Sequence, residues 1–311
     1  MRSDLGDPAT APATQRLTSV IVVAADSGPL LQACVDSVLA SVADVELILV
    51  DNASVDGEPA RAVASHATDA RLRILRNATN LGFGPACNRG AALARGDVVM
   101  FLNPDCVLQP GIIDGLRNRL DHDAGIGVLG VTVCDPDGKP ARSIRRRDPM
   151  FSRALASLSG LSRLERRWPA FAGVEMPSLP GTAPDPETVE AISGACITMP
   201  RHVFQQMDGF DEGYFLHVED LDLCRRVRDA GYRVAIAHAL HITHAQGSSS
   251  HHRAVFVAEH KHRGMWRYFR KFDPAAKNPL LRAGVHLGLW VHLLMIRLRH
   301  AVGARRRTRS S

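Results

Sequence analysis

Three short stretches of this 311-residue chain concentrate side chains that could do chemistry. The first is Asp51 in DNASVDG, and the second is Asn103-Pro104-Asp105. The third is Glu219-Asp220 with Asp222, followed by His238, His241 and His244 at steps of three. Carboxylates and imidazoles hold divalent cations and move protons near neutral pH. Each stretch also has a plainer reading. Asn-Pro-Asp and Asp56-Gly57 make good turns. Acids that open a helix are favoured by its dipole by about 0.3–1 kcal/mol each. On a strand, His238 and His244 would share a face with His241 opposite, which argues against a zinc cluster of all three.

The elements around these residues decide between the readings. LTSVIVVAA (17–25) is a β-branched, nearly continuous apolar run, as in a strand buried on both faces. Helical spacing follows over 29–41, then strand VELILV (45–50), a helix near 57–67 and strand RLRIL (71–75). PACNRGAALA (85–94) reads as helix, DVVMFL (97–102) as strand, 110–121 as helix and GIGVLGVTV (125–133) as strand. Strands recurring about every 26 residues with helices between them imply a parallel sheet of βαβ units. Such sheets bind ligands at the carboxyl ends of their strands, beside a topological switch point. The loops at those ends are 51–57, 76–90 and 103–106, and all three are rich in acids and amides. After a less regular middle, EAISGACITM (190–199) resumes the fold. Glu219, Asp220 and Asp222 then open an amphipathic helix with Leu221, Cys224 and Val227 on one side, and YRVAIA (232–237) is a further strand.

Several classes lose support. Gly82 and Gly84 begin a G-x-G, but Cys87 takes the place of the third glycine, so a dinucleotide fingerprint fails. There is no P-loop, no G-x-S-x-G and no H-E-x-x-H. Hydrophobic residues at 45% and charged residues at 23% fit a soluble globular protein and exclude global disorder. Six cysteines without a C-x-x-C pair argue against a disulfide scaffold or a structural zinc site and fit a reducing cytoplasm. The polar start, 1–16, reads as a disordered lead-in without a signal peptide.

Charge is unevenly spread. Residues 251–311 carry +12 and the rest −6, which suggests a tail that meets an anionic surface. The apolar run between Arg282 and Arg297 is 14 residues, shorter than a span needs, so an interfacial helix with Arg305-Arg306-Arg307 trailing is expected. Arg142, Arg145, Arg146 and Arg147 read as a solvated face, ahead of a Pro-rich stretch from Pro177 to Pro186.

The order of VDNASVDG, NLGFGPACNRG, FLNPD, SGACITMPR, GFDEGYF, EDLDLCRR and HITHAQGSS resembles the family 2 glycosyltransferases of the GT-A fold. The resemblance covers about 17–270, and within the family it is most like the rhamnosyltransferases of bacterial cell-surface polysaccharide synthesis. Each motif is weak alone; seven in order carry the assignment. The implied fold is α/β, a Rossmann-like, mostly parallel sheet flanked by helices. It would span 17–250, with a nucleotide-sugar half at 17–134, an acceptor and catalytic half at 135–250, and a basic helical tail at 251–311.

The resemblance also implies roles. Asp51 would contact the nucleoside, and Asn80, Gly82, Phe83 and Gly84 form the loop that passes close to the donor. Asn88 either contacts the donor or serves as a plain helix residue. Asn103 stands in place of the first aspartate of the D-x-D metal motif, with Asp105 as the metal ligand. His244, 24 residues after Asp220, would be a second ligand to Mn²⁺ or Mg²⁺. Asp220 would be the general base of an inverting transfer, with Glu219 orienting its neighbours and Asp222 structural. Ala24-Ala25-Asp26-Ser27 departs from the Thr-Tyr-Asn-like stretch of the family, so the nucleoside contacts on that side are not carried over. The expected donor is a nucleotide-diphosphate sugar, best dTDP-rhamnose, and the acceptor a lipid-linked saccharide or oligosaccharide. An anionic membrane surface is an expected partner and nucleic acid is not. The expected place is the cytoplasm, peripherally on the inner face of the cell membrane. Two competitors are an inert sugar-nucleotide or saccharide-binding module on the same fold and a nucleotidyltransferase. The latter usually carries a Gly-rich basic loop after strand one, which this chain lacks.

Overall fold

The structure, a computed structural model, describes residues 16–141, 144–165, 167–168, 172–174, 176, 184–244 and 254–307. The lead-in before Arg16, Arg142, Pro177–Pro180 and the AQGSS end of the last motif lie outside the described residues.

The first half alternates as its periodicity demands: β1 (Thr18–Ala24), α1 (Leu30–Leu39), β2 (Val45–Asp51), α2 (Glu58–Ser65), β3 (Leu72–Arg76), α3 (Phe83–Ala91) and β4 (Val98–Leu102). Every residue of β1 and β4 is buried, which explains their unbroken apolar runs: strands covered on both faces have no polar side to show. Then come β5 (Cys106–Val107), α4 (Ile112–His122), β6 (Ile126–Cys134), β7 (Arg145–Arg146) and α5 (Phe151–Leu158). The second half holds β8 (Glu187–Val189), β9 (Ala191–Ile192), β10 (Cys196–Pro200), α6 (Arg201–Gln206), α7 (Glu219–Asp229) and β11 (Arg233–His244). Two helices close the chain, α8 (Ala254–Phe272) and α9 (Pro279–Arg307).

Among the described residues, the strands form a nine-stranded sheet in the order β3-β2-β1-β4-β10-β6-β11-β5, with β8 also on β11. β3, β2, β1 and β4 are parallel, as are β6 and β11. The departure from a purely parallel sheet is β10, antiparallel to both β4 and β6. It enters from the edge where β4 ends, so the loop before it joins the carboxyl-end loops of the parallel strands. β1 lies between β2 and β4, and the strand order reverses there. That is the switch point where a crevice opens.

Two expectations change. The arginine run is not a solvated face: Arg145 pairs with Glu187, Arg146 with Asp220 at 3.3 Å and Arg147 with Glu165 at 2.6 Å. β7 pairs with β9, and all three arginine side chains are largely shielded by their partners. In the tail, Arg282 and Arg297 bound the apolar run without ending the helix. Pro279–Ala301 is 23 residues with mean hydropathy 1.4, long and apolar enough by length and composition to cross a membrane, and none of it is buried.

Candidate active site

At the carboxyl end of β2, Asp51 accepts the Ser54 N–H at 2.9 Å. Beside it Asn52, almost fully buried, acts as a hub. Its amide donates to Asn80 Oδ1 at 2.9 Å and to the Gly82 carbonyl at 3.1 Å, and its Oδ1 accepts from Asn77 and Leu81. The loop after β3 is thereby fixed against the end of β2. Gly82 has φ 91°, and a Cβ there would lie 2.5 Å from the Phe215 carbonyl oxygen. The neighbour demanding glycine is therefore the backbone of the GYF segment, to which the Phe83 N–H donates at 2.8 Å. Gly84 fits against the Phe210 side chain for the same reason of space.

At the carboxyl end of β4, the Asn103 N–H donates to the Ala195 carbonyl at 2.9 Å. Two residues on, Asp105 Oδ1 lies 2.9 Å from His244 Nε2, with both side chains mostly buried. The contact exists because β5 pairs antiparallel with β11 and sets His244 opposite Cys106. The ligand atoms of Asp105, Cys106 and His244 lie within 4.8 Å of one another. Burial pushes the Cys106 thiol well above its usual range, and it donates to the Ala195 carbonyl. The donors this corner offers a cation are thus one carboxylate and one imidazole, a set that suits Mn²⁺ better than Mg²⁺.

The acid pair opens α7. His217 and Val218, immediately before it, take left-handed φ of 65° and 75°. For a β-branched residue such as Val218 this costs about 1–3 kcal/mol. The turn is held from outside by Gly264 of α8, where a Cβ would meet His217 and Val218 at 3.1 Å. Glu219 and Asp220 are both buried. Asp220 Oδ2 accepts from the Gly194 N–H at 3.1 Å and from Arg146 at 3.3 Å, and Oδ1 accepts from the Leu221 N–H. Glu219 Oε2 has no hydrogen-bond partner among the described residues. Burial, and then the adjacent Asp220 charge, raise the Glu219 pKa far above the ordinary carboxyl value. Glu219 is therefore favoured in its neutral form, next to an Asp220 whose oxygens are held by donors.

One short loop joins these corners. Gly194 bonds Asp220, and the next residue, Ala195, receives Asn103 and Cys106 next to Asp105. Glu219, Asp220, Asn103, Asp105 and His244 are so brought to one sheet edge, with Asp51, Asn80, Gly82 and Phe83 on the neighbouring loops. Asn88 is elsewhere. It staples α3 to Phe210 and Glu212 through three bonds and lines a cavity of about 650 Å³ that includes neither Asp105, Asp220 nor His244. Asp222 accepts from Tyr214, Arg226 and Lys271 in a fully buried position. His238 pairs with Glu187 and His241 is exposed; a register shift separates Ala237 from His241. Sequence reasoning missed Asn52, Gly194 and Arg146. The adjacency of Asn52 to Asp51 was a signal for the first. Nothing in the local sequence marks a partner 74 residues away for the last.

The sheet is mixed and mostly parallel, with its acids and imidazole on one carboxyl edge, the arrangement expected of the GT-A fold. The family model for Glycosyl transferase family 2 matches residues 19–179, and the chain belongs to that family. It is 30% identical over 272 residues to the N-acetylglucosaminyl-diphospho-decaprenol L-rhamnosyltransferase of Mycobacterium tuberculosis, covering 80% of this chain and 86% of that one. Rhamnosyltransferase WbbL of Escherichia coli K12 is 26% identical over 160 residues, 49% of this chain and 55% of the relative. Among solved structures, the mannosyltransferase PcManGT from Pyrobaculum calidifontis, in complex with GDP-Man and Mn²⁺, has a TM-score of 0.57 at 19% identity, covering 97% of this chain and 79% of that one. GalNAc-T7 with UDP, GalNAc and Mn²⁺ also scores 0.57, at 17% identity, covering 73% of this chain and 43% of that one. These two likenesses concern the fold.

Proposed function

We propose that the chain is an inverting, metal-dependent glycosyltransferase that moves L-rhamnose from dTDP-rhamnose to a lipid-linked saccharide. It would act at the cytoplasmic face of the cell membrane in cell-envelope polysaccharide synthesis. The donor and acceptor classes rest on the rhamnosyltransferase relatives, one of which is named for a decaprenol-linked acceptor. The observation that carries the reading is the bonded path from Asp220 through Gly194 and Ala195 to the Asn103–Asp105 turn and His244.

In this reading Asp220 takes the proton from the acceptor hydroxyl as that oxygen attacks the anomeric carbon and the nucleoside diphosphate leaves from the opposite face. The Gly194 N–H and Arg146 hold one Asp220 oxygen and so fix the direction of the carboxylate. Neutral Glu219 avoids placing a second full charge beside it. Asp51 and the Asn80–Gly84 loop take the nucleoside and sugar ends of the donor. Asp105 and His244 would hold a divalent cation, which when bound supplies Lewis-acid neutralisation of the leaving diphosphate.

A thermal-shift screen of nucleotide sugars with and without Mn²⁺ tests this. Selective ligands stabilise by RT ln(1 + [L]/Kd), about 2.7 kcal/mol at a hundredfold excess over Kd. dTDP-rhamnose with Mn²⁺ should give the largest shift. A larger shift with another nucleotide sugar contradicts the donor assignment, and no shift with any of them contradicts the function.

A further inference from the structure

The outer face of α9 is a feature the transfer reaction does not use. Leu280, Leu287, Trp290 and Leu298 are each more than half exposed, with Leu294 and Met295 beside them. They recur at helical spacing and make one continuous apolar stripe. α9 carries six arginines and no acid. Its inner face is tied to α8 along its length, antiparallel: Arg297 donates to Glu259 at 2.6 Å, His292 meets His262 at 2.9 Å, and the His286 ring lies tilted against Trp266 with centroids 4.7 Å apart.

We propose that α9 docks in the plane of an anionic lipid surface, its apolar stripe among the acyl chains and its arginines on the headgroups. This deepens the proposed function by naming the surface that meets the bilayer. A stripe without acids and with several cations is complementary to anionic lipid. The helix is long enough to span, but the partner it is tied to is not apolar. α8 carries Glu259, Lys261, Arg263, Arg267, Arg270 and Lys271, which a spanning pose of the intact hairpin would drag into hydrocarbon. α8 is in turn fastened to the catalytic body. Lys271 bonds Asp211 and Asp222, Arg267 bonds Asp211, and Tyr268 is buried. An in-plane pose keeps all of these contacts.

The hairpin also sets a direction. The α8 half that meets the basic end of α9 is the half that braces the turn before the acid pair. His260 stacks on Phe215 at 4.3 Å, and Gly264 lies against Val218. Docking the basic end of α9 therefore fixes the acid pair relative to the headgroup layer, where the saccharide of a lipid-linked acceptor lies.

The test uses the full chain and vesicles of phosphatidylcholine with or without phosphatidylglycerol, in the absence of donor and acceptor. Flotation should require phosphatidylglycerol and weaken with salt. Arg299→Gln/Arg306→Gln should weaken it by about tenfold or more, and Leu287→Gln/Leu294→Gln should do the same. Leu287, Leu294 and Arg299 are exposed, and circular dichroism checks that both variants fold. Trp290 lies at the middle of the apolar stretch. Its emission, isolated by difference from Trp290→Phe, should be quenched most by lipids brominated near the headgroup. Strongest quenching by lipids brominated deep in the chain means that α9 spans, and overturns the proposal. So does equal binding to neutral vesicles. So does absence of vesicle binding together with a concentration-dependent dimer that Leu287→Gln/Leu294→Gln abolishes, which assigns the stripe to a second copy. Transfer to a soluble saccharide is assayed separately. Failure there with vesicle binding intact contradicts the proposed function and leaves the docking surface standing.

Discussion

Replacing Asp222 by Asn should damage stability and spare chemistry, although Asp222 lies only two residues from Asp220. Asp222 has no exposed surface and accepts from Arg226 Nε at 2.5 Å, Lys271 Nζ at 2.7 Å and the Tyr214 hydroxyl at 3.2 Å. These bonds tie α7 to α8 and to the GYF segment. Each charge-assisted bond is worth about 1.5–3 kcal/mol. Both cations keep partial access to water, which screens them and discounts the total to about 3 kcal/mol. For a chain of this size roughly 2 °C of melting temperature follows each kcal/mol, so Asp222→Asn should melt about 6 °C lower. Urea or guanidinium unfolding gives the free energy, and turnover is read per folded molecule. A loss under about 0.5 kcal/mol, typical of an ordinary surface site, or a folded variant with no turnover, would refute the assignment of Asp222 to scaffolding.

Three further outcomes follow from the same geometry. Gly82→Ala should cost about 2–3 kcal/mol, from the left-handed φ and the lost Phe83–Phe215 bond. Gly28→Ala, also at positive φ but with nothing within 4 Å of its Cβ, should cost only the conformational part; equal losses contradict the proposed clash. For Glu219, the folded protein holds the proton to higher pH than the unfolded chain does. Stability attributable to this group therefore falls as pH rises from the unfolded carboxyl range towards the raised folded pKa. Glu219→Gln should accordingly gain stability relative to the parent as pH rises from about 5 to 7, and denaturant midpoints that run parallel over that range contradict a neutral Glu219. Chelation should abolish transfer and Mn²⁺ restore it. Asp105→Ala should lose the stabilisation that Mn²⁺ with nucleotide gives the parent, and circular dichroism checks that the variant folds.

Local sequence carried the elements well because β1, β2, β4 and β6 are buried strands whose apolar runs have no competing explanation. It did not place β10. The antiparallel insertion between β4 and β6 depends on a chain excursion of some sixty residues, and no periodicity encodes a return direction. Candidate residues were legible where chemistry and position coincide, as in Asp105 after β4. They were illegible where a partner is remote, as with Arg146 on Asp220, or where a glycine serves the protein itself, as Gly82 does against Phe215. The two-residue β5 is too short for any pattern, yet it sets His244 beside Asp105. The tail was misjudged in length because Arg282 and Arg297 interrupt hydropathy without interrupting the helix.

The account stands on Asp220 as the base, and single-turnover transfer by Asp220→Asn tests it most directly. The substitution keeps shape and removes basicity. The rate should fall by about 10²–10⁴-fold, with donor affinity and melting temperature close to those of the parent. A rate within a few-fold of the parent, in a folded protein that still binds donor, would contradict the central claim.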